Sequence, residues 1–236
     1  WGLKIMESFF EQVENLWKRY SSSSGNRCNT CVMDDTVPGV EFDSEGNCNS
    51  CRELIFRSSI SDLRNSEQFR RRVLESTVKR IKAEGARRDY DCVIGVSGGV
   101  DSSWLLVQAM ELGLRPLAVH LDNGWDSNIA QENILRLLNQ FGVDYVSYVI
   151  DWEEFRDLMN AFFAAGVVDI EILTDHAIFA TLYQQAKKVG VKYILSGDNF
   201  ASEGVRIPQG WNWYKGDKRH ILAVGRRFGV RPSSFP

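Results

Sequence analysis

The stretch Asp91-Cys92-Val93-Ile94-Gly95-Val96 runs directly into Ser97-Gly98-Gly99-Val100-Asp101-Ser102-Ser103, and a helical apolar pattern opens at Trp104. A short apolar run bounded by glycines reads as a buried strand, so the local order is strand, loop, helix. Glycine has no Cβ, which lets the backbone of such a loop approach an anion, and free N–H groups at the start of the following helix point at it. The loop therefore reads as a phosphate cradle in preference to an ordinary turn with a serine cap. Ser97, Ser102 and Ser103 add hydroxyl donors, and Asp101 in the first helical turn either caps the helix or helps to hold Mg²⁺. Neither a G-x-G-x-x-G fingerprint nor a G-x-x-x-x-G-K-[ST] loop is present, so the cradle is of a third type.

Outward from the loop the alternation repeats. Arg115 to Leu121, Asp144 to Ile150 and Val191 to Leu195 are strand-like, and helices are expected near 101 to 112, 127 to 141, 152 to 165 and 174 to 189. Strands alternating with helices predict an α/β fold with a parallel sheet covered on both faces, and right-handed crossovers leave few topologies. The fourth strand should then lie beside the first, which brings Gly197 and Asp198 toward the loop. Residues 59 to 88 read as a charged helical segment. Its basic run from Arg64 through Arg70, Arg71, Arg72, Lys79, Arg80, Lys82, Arg87 and Arg88 is read as a solvated face, with phosphate contact or a partner surface as alternatives.

The 236 residues include 28 basic and 31 acidic side chains, for a net charge of −3, with 44% hydrophobic residues. Such a chain can bury a core, is too rich in aromatics for disorder, and offers no general attraction to nucleic acid. No apolar stretch nears the ~20 residues of a membrane-spanning helix. The longest, Ala161 to Val168, stops at Asp169. With no secretory signal legible at the N-terminus, a cytoplasmic location is expected. Met6, Phe9, Phe10, Val13, Leu16, Trp17 and Tyr20 fall at helical spacing, so residues 3 to 20 read as an amphipathic helix packed on its own chain or on another subunit. Ser21 to Ser24 with Gly25 read as a linker, closing an N-terminal segment at residues 1–25.

Cys28-x2-Cys31 and Cys48-x2-Cys51, separated by sixteen residues, have the spacing of a four-thiolate zinc site. Two knuckle turns each present a pair of sulfurs, and a tetrahedral ion can tie together a segment too small to fold by burial alone. Disulfides are the alternative, disfavoured in a reducing compartment. Four thiolates leave no open position for substrate, so the expected zinc is structural. Residues 26–58 are thus read as a zinc ribbon and 59–236 as the α/β domain. Cys92, inside a strand, reads as a core residue.

Ser97-Gly98-Gly99-Val100-Asp101-Ser102 resembles the PP-loop of the ATP pyrophosphatases, which split ATP into AMP and pyrophosphate while adenylating a carbonyl oxygen. In that superfamily the loop holds the pyrophosphate and the end of the next strand contacts the nucleotide; here that stretch is His120-Leu121-Asp122-Asn123-Gly124-Trp125. A closer resemblance, over nearly all of residues 27 to 236, is to the N-acetyl sugar amidotransferases, which join a zinc ribbon to a PP-loop domain. It is carried by Cys28-Asn29-Thr30-Cys31-Val32-Met33-Asp34-Asp35-Thr36-Val37-Pro38-Gly39-Val40 with Phe42-Asp43, by Thr174-Asp175-His176, by Ser196-Gly197-Asp198-Asn199, and by the stretch from Pro208 through Trp211, Lys215, Asp217 and Ile221. The helix before residue 25 departs from that pattern. Members of the family usually continue well past residue 236, so the α/β domain is expected to be incomplete at its C-terminus, with part of the substrate site or an oligomer surface lying outside it.

The resemblance implies conversion of an acetamido group on a nucleotide-activated sugar, a precursor of bacterial surface polysaccharide or flagellar glycan, to an acetamidino group. AMP transfer to the amide oxygen makes it a leaving group, and ammonia displaces it. ATP, Mg²⁺ and a structural Zn²⁺ are the implied cofactors. Ser97, Gly98, Gly99, Asp101, Ser102, Ser103, Asp122 and Gly197 are the candidate nucleotide and metal contacts, and Asp101, Asp198 and Lys215 the candidate catalytic groups. Asp175, His176 and Trp211 are candidate sugar contacts. Helix capping by Asp175 and His176, a loop cap for Asp198, and core packing of Trp211, Trp213 and Tyr214 remain open alternatives. A glutaminase needs a reactive cysteine, and only Cys92 lies outside the cluster, so ammonia is expected from a separate glutamine amidotransferase; a homo-oligomer stays open. A tRNA-thiolating PP-loop enzyme is the competing reading, set against the net charge and the want of a free cysteine. A non-catalytic module that keeps ATP as a structural ligand is the third.

Overall fold

In the computed structural model, which describes residues 25–64, 66–198 and 212–236, the apolar run after Asp91 forms β1 (Cys92–Gly95), with Cys92, Val93 and Ile94 wholly buried. It is one of the two inner strands of a four-stranded sheet of order β3-β2-β1-β4, formed with β2 (Pro116–Asp122), β3 (Tyr145–Val149) and β4 (Ile194–Leu195). All three pairings are parallel. The expected neighbourhood of first and fourth strands is therefore observed, although β4 is two residues long and Tyr193 adds only a carbonyl that accepts from Val93 N at 2.9 Å. Backbone contacts separate two compact units within the described residues, one ending at Ser58 and the other beginning at Ser59. The expected helix over residues 3–20 and its linker lie outside the described residues.

Helices α1 (Asn49–Arg64), α2 (Glu67–Gly85), α3 (Val100–Glu111), α4 (Asn128–Phe141), α5 (Trp152–Ala164), α6 (Ile172–Val189) and α7 (Lys218–Arg227) complete the described elements. The four helices expected between the strands are present to within two residues at each end. The charged segment differs: α1 starts inside the second cysteine knuckle, and a fresh helix begins where Ser66 Oγ accepts from Phe69 N at 3.2 Å. Most of α2 is exposed and only Ile81 and Gly85 are buried, in keeping with a solvated basic face. Helix α7 was not expected; it starts where Asp217 Oδ1 accepts from the backbone of Arg219 and His220, and its Ile221 is fully buried.

The sheet is covered on both faces. Ile94, Val96 and Ala118 pack with Leu106, Ala109, Ile134 and Leu138 on one side, while Val93, Leu117 and Val119 pack with Leu182 and Ala186 on the other. Burying such side chains yields ~1.5–3 kcal/mol each, which is what fixes the strand register. Beneath the first two strands lies an ion pair: Asp91, 3% exposed, accepts from Arg115 Nη2 at 2.7 Å and from Arg115 N at 2.9 Å. Arg115 also donates to the carbonyls of Gly85 and Arg88, so one side chain ties β2 to β1 and α2. Replacing Asp91 by Ala leaves that guanidinium without its buried carboxylate, and a loss of about 3 kcal/mol in urea unfolding is expected.

A third cluster joins α5, α6 and α7 through Phe155, Leu158, Phe162, Leu173, Ile221 and Phe235. The tail is pinned there by Glu154, whose Oε1 accepts from Ser233 Oγ at 2.6 Å and whose Oε2 accepts from Ser234 N at 3.0 Å and Ser234 Oγ at 2.9 Å. Burial pushes the Glu154 carboxyl up, but the donors of Ser233 and Ser234 outweigh it and hold the group down to about 2. A depressed carboxyl stabilises the fold fully above its ordinary value of 4.5 and loses that contribution as pH falls toward 2. Glu154→Gln is accordingly expected to destabilise at neutral pH by about 2 kcal/mol, and the difference from the parent should shrink in unfolding curves taken between pH 4.5 and 2.

Candidate functional site

After β1 the chain turns through Ser97 to Ser102 with the two serines tied together. Ser97 N donates to Ser102 Oγ at 3.1 Å, and the two hydroxyl oxygens are 3.1 Å apart. Gly98 sits at φ +74°, and a Cβ there would meet the Ala130 carbonyl oxygen at 2.3 Å, so both conformation and space require glycine. Gly99 is the N-cap of α3 and makes no side-chain cap bond. The helix thus starts without a side-chain acceptor on its first N–H groups, the arrangement that suits an anion. Asp101 is not the cap; it stands exposed in the first turn, as the second residue of the helix.

A cavity of about 430 Å³ opens beside this turn at the C-terminal ends of β1, β2 and β4, where parallel sheets commonly bind ligands. Ser97, Asp101, Ser102, Gly197 and Asp198 line it together, with Asp126 and Asp175 from elsewhere. Gly197 is pressed against the start of α3: a Cβ there would lie 3.1 Å from the Asp101 carbonyl. No lysine or arginine is among the described lining residues. A phosphate chain entering a wall with four carboxylates has to bring a cation, and Asp101 and Asp198 are the exposed oxygen donors that fit a hard divalent ion such as Mg²⁺. Gly98, Gly99 and Ser103 face a second, shallower depression with Asn133 and Arg136.

Other residues singled out from the sequence stand further off. Asp122 Oδ1 accepts from Gly124 N at 3.0 Å, and its side chain borders a smaller cavity on the β3 side. Asp175 lines the main cavity but pairs with the Lys215 ammonium, which also lies 3.7 Å from Asp169 Oδ2. Burial pulls Lys215 down, yet Asp175 and Asp169 outweigh it and hold the ammonium above its ordinary value. The ammonium is thus held between two carboxylates at the edge of the site. His176 is 7% exposed, stacks on Phe235 and has Nδ1 2.7 Å from the Lys215 carbonyl. Neither residue opens its helix, which starts at Ile172. Trp211 lies outside the described residues. Trp213 donates from Nε1 to Asp217 Oδ2 at 3.1 Å and remains over half exposed.

Two features escaped the sequence reading. His120, 6% exposed on β2, has Nδ1 2.7 Å from the Val96 carbonyl and Nε2 2.7 Å from Asp126 Oδ2. Trp125, in the turn after β2, and Trp152, the first residue of α5, form an edge-to-face pair with ring centroids 5.6 Å apart and both rings exposed. Gly124, at φ +81°, permits that contact, since a Cβ would touch Trp152 at 3.0 Å. Tryptophan in a turn could have flagged the pair; nothing local marks the partner of His120.

In the smaller unit the four cysteine sulfurs all lie within 4.8 Å of one another. Cys28 and Cys51 are separated by 3.9 Å and Cys31 and Cys48 by 3.7 Å. A tetrahedron with metal–sulfur bonds of ~2.3 Å has edges of about 3.8 Å, whereas a disulfide needs ~2.05 Å. The set therefore fits zinc. Backbone N–H groups of Cys48 and Thr30 approach Cys28 Sγ at 3.2 and 3.4 Å. Burial pushes the Cys28 thiol up, but these backbone donors prevail and bring it down to about 6, while burial raises Cys31 and Cys51. Cys92 is wholly buried and burial lifts its thiol to about 12, as befits a core residue.

No protein-family model matches the chain. It is 30% identical over 174 residues to the GMP synthase [glutamine-hydrolyzing] of Pyrobaculum aerophilum, covering 68% of this chain and 32% of that protein. It is 26% identical over 121 residues to the tRNA-specific 2-thiouridylase MnmA 2 of Geobacillus kaustophilus, covering 44% and 32%. The chain thus spans about a third of the length of these curated relatives. Among solved structures, the NMN synthetase of Francisella tularensis is similar over 66% of this chain and 70% of that one, at 17% identity and a TM-score of 0.42. The likeness to these curated proteins agrees with the PP-loop resemblance carried by residues 97–102.

Proposed function

We propose that the protein is an ATP-dependent amidotransferase that converts an acetamido group on a nucleotide-linked sugar to an acetamidino group. The observation that carries the ATP half of this reading is the uncapped start of α3 behind Gly98 and Gly99, beside a cavity walled by carboxylates. In this reading the N–H groups and hydroxyls of residues 97–103 bind the β- and γ-phosphates and leave the α-phosphorus facing the cavity. The amide oxygen attacks it, the bond to the β-phosphate oxygen breaks, and pyrophosphate leaves. Ammonia then adds to the imidate carbon, AMP leaves with the former amide oxygen, and one proton is released. Asp101 and Asp198 would hold Mg²⁺, which when bound neutralises charge on the pyrophosphate. Zinc at Cys28, Cys31, Cys48 and Cys51 would be structural.

The sugar assignment rests on the resemblance in the cysteine segment and in residues 174–176 and 196–199. The exposed Trp125 and Trp152 pair supports it, because saturated rings stack on indoles. Ammonia from a separate glutaminase agrees with a chain whose one cysteine outside the cluster is buried. The likeness to a tRNA thiouridylase favours sulfur transfer to RNA as the second reading. Against it, Cys92, the one cysteine of the larger unit, is wholly buried and does not line the cavity.

Incubating the chain with ATP, Mg²⁺, ammonium and a panel of acetamido sugar nucleotides separates these readings. AMP and a product about one dalton lighter, oxygen exchanged for NH, is the expected result. AMP release dependent on tRNA and a sulfur donor instead would overturn it, as would no AMP in any arm.

A further inference from the structure

We infer that His120 is a positioning residue which, with Asp126 as its outer anchor, holds the phosphate loop in its binding conformation. The inference rests on the ATP-binding reading above.

Both neighbours of the His120 ring are acceptors. The Val96 carbonyl can only accept, so the ring donates to it from Nδ1 at 2.7 Å, and its other nitrogen, Nε2, stands 2.7 Å from Asp126 Oδ2. Val96 is the residue immediately before Ser97, so the ring grips the loop at its root. The side chains are 7% and 17% exposed, which shields both bonds from competition by water.

A separate set of contacts acts on the same loop two residues later. The loop runs close enough to α4 that a Cβ at Gly98 would meet the Ala130 carbonyl oxygen at 2.3 Å, and Asn133 Nδ2 donates to the Gly98 carbonyl at 3.3 Å. Asp126, Ala130 and Asn133 belong to one segment, the end of the β2–α4 connection and the first turns of α4. That segment therefore holds the loop at Val96 and again at Gly98. A turn with two adjacent glycines loses more entropy on ordering than any other, and a cradle left loose would incur that cost when phosphate arrives. Holding it beforehand favours ligands that carry the pyrophosphate tail and leaves the rest of the nucleotide unaffected. His120 has no free nitrogen for a substrate proton, so it acts through the loop and not on the reacting atoms.

Calorimetric titration of the full chain with Mg-ATP, Mg-AMP and inorganic pyrophosphate tests this. Asp126→Ala and His120→Phe, the latter keeping a flat ring, are expected to weaken ATP and pyrophosphate at least about tenfold, or ~1.4 kcal/mol, and AMP less than about twofold. Asp126→Asn keeps an acceptor and should stay within about threefold of the parent. The double variant should be no weaker than the worse single, because both remove the same link. Asp126 is the more exposed partner, so its variants keep the test open if His120→Phe fails to fold. Equal weakening of AMP and ATP, unchanged ATP affinity in Asp126→Ala, or Asp126→Asn as weak as Asp126→Ala would each overturn the positioning role. A parent chain that binds AMP but neither ATP nor pyrophosphate would overturn the functional reading, and this inference with it.

Discussion

Substituting Asp101 by Ala should abolish AMP formation, a fall of at least ~10³-fold, while zinc content and the unfolding transition stay as in the parent. The reason is electrostatic. Asp101 and Asp198 line the cavity as exposed carboxylates, beside Asp126, which faces His120, and Asp175, which pairs with Lys215; no lysine or arginine is among the described lining residues. Two like charges ~6 Å apart at an effective dielectric near 20 repel by about 3 kcal/mol, and a triphosphate brings several. Binding must then be coupled to a divalent cation, and Asp101 is the carboxylate carried on the loop's own helix. Chelating Mg²⁺ should weaken ATP binding to the parent by at least ~100-fold, since more than one such pair is then left unscreened. With one repelling charge removed, the Asp101 variant should show a smaller difference between ATP affinities measured with and without Mg²⁺. The two arms are read independently: calorimetry reports the cation dependence and AMP release reports turnover. Full turnover by the variant would remove Asp101 from the mechanism, and tight ATP binding without any divalent ion would remove the cation.

What could be read from the chain beforehand was whatever depends on local order. The loop at residues 97–103 announces itself because glycine, serine and the strand before it are contiguous, and the strand-helix alternation follows from periodicity within each segment. The place of Asp198 beside Asp101 was also legible, since a parallel sheet of this kind admits few strand orders. The extension of α1 back into the cysteine knuckle was hidden by the turn residues around it, and α7 by its short polar sequence, in which Ile221 alone is fully buried. Long-range pairings were invisible for a different reason. Asp91 with Arg115 and Val96 with His120 are each 24 residues apart, and only the register of β1 on β2 brings them together. Lys215 read as a candidate catalytic group, and the two carboxylates that hold it, 40 and 46 residues earlier, are not marked by anything near it in sequence.

Stripping zinc should have the largest effect of any perturbation on the smaller unit. Among its described residues few apolar side chains are gathered in: Val37 is buried, and Met33, Val40 and Phe42 are partly buried around the four cysteines. At ~1.5–3 kcal/mol for each fully buried side chain, that core cannot offset the ordering entropy of about thirty residues at ~1–2 kcal/mol each. Structural zinc in small four-ligand domains supplies an apparent ~10–16 kcal/mol near neutral pH, so metal binding and folding here should be one event. Freshly purified protein is expected to carry one zinc per chain. Treatment with a strong chelator, or Cys48→Ser, should release it and expose to exchange the amides of Thr30, Met33, Cys48 and Cys51, which in the folded unit point at sulfur. Zinc binds thiolates, so each cysteine must lose its proton on metal entry. Refolding should therefore follow zinc addition and slow as pH is lowered. Amides that stay fully protected after zinc is gone would mean that hydrogen bonds such as Asn29 N to the Gly46 carbonyl suffice to hold the unit, and that the cysteine cluster is not what folds it.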